Sequence, residues 1–162
     1  MSSEHASTTL TLERLWQFSL SYYSARGVKD ACLTLQNQYH GNVNLLLLLK
    51  WLDEQQLAFE KTEWHHIQQC LGRSESLLLS YRELRKHLKP HVVDSLYREA
   101  LQFELQLEKQ QQSDLVDCIN GLPLTLNTDI PLVLQYCRLL SAESLYEFFS
   151  EPLAPEEHRV IN

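Results

Sequence analysis

The amino-acid sequence predicts an all-α protein, a single helical domain over residues 10–150 in which about six helices surround a buried third one. Three observations carry this. The 162 residues include only 4 glycines and 5 prolines, so long runs contain no turn former. Leu, Gln and Glu are abundant and β-branched residues scarce, which favours helix over strand. Apolar residues also recur at three- and four-residue spacing through successive stretches, the period of a helix with one buried face. A hydrophobic content of 44% at this length is enough for a core without a disulfide or metal staple.

The elements follow in order. Residues 1–9 are polar and read as a flexible tail, with no basic region and apolar stretch that would make a signal peptide. Helix 1 is expected over residues 11–24, with Leu12, Leu15, Trp16, Leu20 and Tyr23 on its buried stripe, and Gly27 as a left-handed stop. Helix 2 is expected over residues 28–40, burying Val28, Ala31, Cys32, Leu35 and Tyr39, with Gly41 ending it. Asn42 is a good N-cap for helix 3, residues 43–56. Five consecutive leucines, Leu45 to Leu49, followed by Trp51 and Leu52, leave that helix no polar face, so other helices must surround it.

Helix 4 is expected from about Thr62 to Lys89, with Ile67, Leu71, Leu78, Tyr81 and Leu88 on its stripe and a break or kink at Gly72-Arg73-Ser74. Helix 5 follows Pro90 and runs to Asn120. Its stripe is Val93, Leu96, Ala100, Phe103 and Leu107, fading at Gln110-Gln111-Gln112 and returning at Leu115, Cys118 and Ile119. Asp129 is read as the N-cap of helix 6, residues 130–140, before a last turn or helix over 142–149 and a second flexible tail over 151–162. Trp16, Trp51 and Trp64 are expected in the core. Cys32, Cys70, Cys118 and Cys137 form no CxxC pair and read as reduced, packed thiols of a cytoplasmic protein. The most apolar run, around helix 3, is about half the length that spans a bilayer, so no membrane association is expected.

The net charge of -7 is unevenly placed. Residues 1–89 carry 10 Lys/Arg against 9 Asp/Glu, whereas residues 90–162 carry 4 against 12. An acidic chain repels a phosphate backbone, which argues against nucleic-acid binding. The four glycines are isolated and cradle no phosphate, there is no Gly-x-Ser-x-Gly elbow, and no Cys/His pair has zinc spacing. Glu63-x-x-His66, with Glu60 and His65 nearby, is half of a di-metal bundle motif whose other half is missing. No catalytic residue, cofactor or metal is therefore assigned. Two groups of residues remain as candidates. Arg82, Arg85, Lys86 and Lys89 form the basic cluster that a partner could use, unless they face the acidic helix 5. Gln36 and Asn44 flank the most apolar stretch as a possible polar site.

Trp16-Gln-Phe18-Ser19-Leu20, Gly27-Val28, Ala31-Cys32-Leu33, Leu35-Gln36 and Val43-Asn44-Leu45-Leu46-Leu47 with Trp51 together make a pattern. It resembles a conserved hypothetical family of small bacterial proteins, the domain of unknown function numbered twenty-three ninety. The resemblance extends over about residues 12–120 and implies a bacterial, cytoplasmic, all-helical protein, with no catalytic residues to carry over. The function expected is a protein-interaction module, adaptor or regulator, whose partner is another protein. The alternative is a small-molecule-binding or enzymatic bundle with a site between helices 2, 3 and 4, built on Gln36 and Asn44 with Glu63 and His66. The oligomeric state is left unassigned.

Overall fold

The computed structural model describes residues 9–152, and within them the chain is all-α. The helices are α1 (Leu12–Tyr23), α2 (Val28–Tyr39), α3 (Val43–Glu54), α4 (Trp64–Leu88), α5 (Asp94–Asn120), α6 (Leu132–Leu139) and α7 (Tyr146–Phe149). Short 3₁₀ turns at Lys61–Glu63, Lys89–His91 and Glu143–Leu145 join some of them. Two two-residue strands, β1 (Leu57–Ala58) and β2 (Thr125–Leu126), pair antiparallel, an element that the sequence pattern did not suggest. The tails expected over 1–9 and 151–162 lie almost wholly outside the described residues. The described residues gather into two compact units: residues 9–12 with Glu60–Pro123, and Glu13–Phe59 with residues 124–152.

In the second unit, α3 is the buried helix. Every residue from Asn44 to Leu52 is buried, Lys50 included. Asn42 caps it as expected, its side-chain oxygen accepting from the Leu45 amide at 2.8 Å. The Asn42 amide itself donates to the Tyr136 hydroxyl on α6 at 2.9 Å. Gly41 is required for space, because a Cβ there would lie 2.6 Å from Leu35 Cγ and 2.8 Å from Leu140. The left-handed residue that ends α2 is His40, at φ 60°, and not Gly41. Gly27 does adopt the left-handed conformation, at φ 81°.

The face that α1 buries differs from the expected stripe. Leu15, Ser19 and Tyr22 are buried, while Leu20 is 56% exposed and Tyr23 half-buried. Polar groups made the difference. Ser19 Oγ donates to the Leu15 carbonyl at 2.7 Å, and Tyr22 Oη donates to the Phe149 carbonyl at 3.0 Å, so both enter the core with their hydroxyls satisfied. Lys50 Nζ reaches the same carbonyl at 2.8 Å, pairs with Glu54 at 3.4 Å and lies 5.4 Å from the centre of the Tyr22 ring. Of the tryptophans, Trp51 is buried, and Trp16 and Trp64 are half-buried.

The start of α6 also departs from expectation. Asp129 caps its neighbour, the Ile130 amide, which lies before the helix. The amides of Leu132 and Val133, which open the helix, are bound by the Asp53 carboxylate of α3 at 2.8 and 3.0 Å. Burial raises the Asp53 pKa, and these two bonds with the nearby Lys50 oppose that rise. A residue on a neighbouring helix thus satisfies two of the orphan donors of α6. At its other end Ser141 is left-handed, φ 58°, and the Ala142 amide returns to the Cys137 carbonyl at 2.7 Å.

In the first unit, α4 is one uninterrupted helix. Gly72 does not break it, and a Cβ there would meet open space. α5 runs back antiparallel along it. At its end, the Asn120 side chain exchanges two hydrogen bonds with the Leu10 backbone, at 2.7 and 3.3 Å.

Three predictions follow from these caps and close contacts. Ser141→Gly and Gln56→Gly, at two non-glycine residues held at φ near 60°, will each raise stability by about 0.5–1 kcal/mol in urea unfolding. Gly41→Ala will lower it by about 1–3 kcal/mol, because the added methyl meets Leu35 and Leu140. Asp53→Ala will cost about 1–2 kcal/mol by orphaning two amides, and Asp53→Asn will recover part of that.

Candidate functional site

In the half nearer its turn, the α4–α5 hairpin places polar residues inside and apolar ones outside. The buried residues of α5 are Glu104, Gln111, Gln112, Leu115, Val116, Cys118 and Ile119. Leu115, Cys118 and Ile119 are buried as expected and Ala100 and Leu107 are half-buried, but the first part of the expected stripe faces water: Val93 is 68% exposed, and Leu96 and Phe103 are each 50% exposed. Of the glutamines that looked like a gap in the stripe, Gln111 and Gln112 are buried and Gln110 is exposed, and Gln111 Nε2 donates to Ser74 Oγ at 2.9 Å and Glu75 Oε1 at 3.2 Å.

The reason lies on α4. Arg82 is buried, and its Nη2 donates to Glu108 at 2.8 Å while its Nε lies 3.7 Å from Glu104. Arg85 grips Glu104 with two hydrogen bonds, at 2.8 and 3.1 Å. Those bonds, opposed by partial burial and aided by the Tyr97 side chain, push the Arg85 pKa above its ordinary value. Tyr81 Oη donates to the Ala100 carbonyl at 2.7 Å. Two arginines on α4 therefore require α5 to turn its carboxylates inward.

Of the four basic candidates, Arg82 and Arg85 are thus engaged with α5. Lys86 is exposed, 3.9 Å from Glu83, and Lys89 is exposed with its ammonium 5.6 Å from the centre of the Tyr97 ring. Of the polar pair, Gln36 is half-buried on α2 and Asn44 is buried on α3. Glu63 and His66 belong to the other unit.

What α5 turns outward adjoins an apolar row of α4. Leu77 and Leu84, seven residues apart and 69% and 53% exposed, lie on the α4 face that also carries Tyr81. Leu96 and Phe103, also seven apart, line the neighbouring flank of α5. The rings of Tyr81 and Phe103 meet at 5.5 Å and 53°, so the two rows share one side of the hairpin. No single residue of this flank stands out in the sequence. The signal that could have found it is the pairing of Arg82 and Arg85 with Glu104 and Glu108, which fixes the rotation of α5.

The hairpin also brings together a group that linear spacing concealed. His66 and Cys70, one turn apart on α4, meet Cys118 of α5. Burial pushes the Cys118 thiol up to about 12, with help from its hydrogen bond to Cys70 and from the charges of Cys70 and Glu63.

A family model described as "Protein of unknown function (DUF2390)" matches residues 14–115. The chain belongs to this family. The match runs from α1 through most of α5 and so includes Arg82, Arg85, Glu104, Glu108 and both apolar rows of the hairpin. No curated protein and no solved structure shows significant similarity to the chain. Among the described residues, no helix is long and apolar enough to cross a membrane.

Glu104→Ala will lower stability by about 3 kcal/mol in chemical denaturation, because it leaves two arginines in the seam short of a carboxylate. Combining it with Arg85→Met will restore part of that loss, since the charge it stranded most is gone while Arg82 keeps Glu108.

Proposed function

We propose that this member of the DUF2390 family is a protein-interaction module of the bacterial cytoplasm, an adaptor or regulator, and that its working surface is the apolar flank of the α4–α5 hairpin. The observation that carries this reading is the outward turn of Leu77, Leu84, Leu96 and Phe103 beside a polar seam. Several half-exposed large side chains in two adjoining rows exceed the scattered exposure ordinary for a surface.

The occupant proposed is an amphipathic helix of a partner protein. Each row repeats after seven residues, about 10 Å of helix, and two parallel rows on neighbouring helices leave a groove between them. That repeat is the one a third helix matches with its own residues at i, i+3, i+4 and i+7. Arg82 and Arg85 serve the surface indirectly, by holding the rotation of α5. Lys86 and Lys89, near the turn of the hairpin, are assigned to the polar rim, where charge sets the rate and selectivity of association more than its strength. The free thiols of the described cysteines are in keeping with a reducing compartment.

Photo-crosslinking tests this. A photoreactive residue at position 84 or 103, expressed in the native host, is expected to give a discrete adduct whose crosslinked peptide is an amphipathic helix of another protein. The same residue at the exposed polar positions Gln68 or Gln102 is expected to give none, and Leu77→Glu is expected to abolish the adduct. Equal labelling at all four positions, or an adduct only with a second copy of the chain, would refute it.

A further inference from the structure

We propose that His66, Cys70 and Cys118 form a zinc-binding site at the end of the hairpin away from its turn. A ring nitrogen of His66 and the two sulfurs all lie within 4.8 Å of one another. Tetrahedral zinc, with bonds of about 2.3 Å to sulfur and about 2.0 Å to nitrogen, needs its donors about 3.5–3.8 Å apart. Small rotations about the side-chain bonds therefore bring the three donors onto one ion, with no change in the backbone.

The secondary structure aligns the donors in advance. Residues four apart on a helix lie one above the other on the same face, so α4 presents His66 and Cys70 together. α5 crosses at that level and supplies Cys118 from the opposite side of the seam. The donors are graded in exposure: Cys118 is buried, Cys70 half-buried and His66 exposed. An ion can enter from the His66 side, and the fourth position on that side belongs to water. The Glu63 carboxylate, one turn before His66, acts on Cys118 through its charge and favours a cation at this place.

The donor set selects the ion. Two thiolates and an imidazole suit zinc and other borderline or soft metals, and they disfavour magnesium and calcium, which take oxygen ligands. Two thiols packed in a helix seam are in themselves an ordinary small apolar layer. An imidazole converging on both of them is what such a layer does not require. The site ties α4 to α5 by three bonds, and it stands independently of the docking surface proposed above.

The test uses the full chain, purified with a phosphine reductant, stripped with a chelator and titrated with Co²⁺ and then Zn²⁺. The expected result is one Co²⁺ per chain, with thiolate-to-metal charge-transfer absorption and the intense visible bands of a tetrahedral ion, displaced by one Zn²⁺. Cys118→Ser, Cys70→Ser and His66→Ala should each weaken Zn²⁺ binding at least about tenfold in competition with a chromophoric chelator. His65→Ala, at an exposed neighbour outside the cluster, should leave it unchanged. Circular dichroism of each variant establishes that it is folded. Binding of Zn²⁺ to the wild-type chain should raise its melting temperature, and a folded His66→Ala chain should lose that rise. The proposal is overturned if the reduced chain takes up no Co²⁺ or Zn²⁺, if the bound Co²⁺ shows no thiolate charge transfer, or if the folded His66→Ala and Cys70→Ser chains bind as the wild type does.

Discussion

Glu104 stands between two arginines, and the hairpin is organised around that fact. Its carboxylate accepts two hydrogen bonds from Arg85 and lies 3.7 Å from Arg82, which in turn holds Glu108. A rotation of α5 that buried Phe103 would gain about 1–1.5 kcal/mol for the half of that side chain now in water. The same rotation would strip the buried Arg82 and the half-buried Arg85 of their carboxylates, at a cost of about 3–5 kcal/mol. The charges win. A buried ion pair adds little to stability relative to an apolar seam of the same volume, but it makes one rotation and one register far better than the alternatives. The exposed flank is then a consequence of the seam.

The unit built on α3 solves the opposite problem. Its central helix is apolar on every side, so packing alone would leave the neighbouring helices free to slide or rotate. Polar groups at the edges of the leucine run remove that freedom. The Phe149 carbonyl collects both Tyr22 Oη and Lys50 Nζ, which joins α7 to α1 and α3. Asp53 seats the first turn of α6 and Asn42 meets the Tyr136 hydroxyl. The same burial that makes these bonds strong raises the pKa of Tyr22 well above the ordinary phenol range, so it stays a neutral donor. One unit puts its polar groups in the seam and the other puts them at the corners of an apolar core.

Helix boundaries were legible from sequence because they depend on local chemistry. Asn42 as a cap, Gly27 as a left-handed stop and the leucine run as a buried helix each follow from a few adjacent residues. Facing was less legible. The stripes drawn for α1 and α5 treated polar side chains as outward by default. Ser19, Tyr22, Glu104 and Gln111 go inward because each finds a partner. Some of those partners are distant in sequence, 127 residues for Tyr22 and Phe149. The pairing of Asp53 with α6 and the convergence of Cys118 with His66 and Cys70 were hidden for the same reason. Of the basic cluster, the sequence showed its chemistry and its possible acidic neighbour on helix 5. It did not show that Arg82 and Arg85 would spend their charge there.

The family match ends at Leu115, yet the core of the α3 unit is completed by residues after 124. The contacts explain how a recognisable pattern can stop before the core it serves is complete. Asp53 and Lys50 lie inside the matched region, and what they hold outside it is backbone: the amides of Leu132 and Val133, and the carbonyl of Phe149. Every residue except proline offers such an amide, and every residue offers such a carbonyl. Side chains within the matched region therefore specify where α6 and α7 sit while asking little more than that those segments be helical and apolar on one face, the Tyr136 hydroxyl that receives the Asn42 amide apart. Leu132, Val133, Tyr136 and Cys137 meet that demand. Many other sequences would meet it too, so this part of the chain carries a weak signature even though the core depends on it.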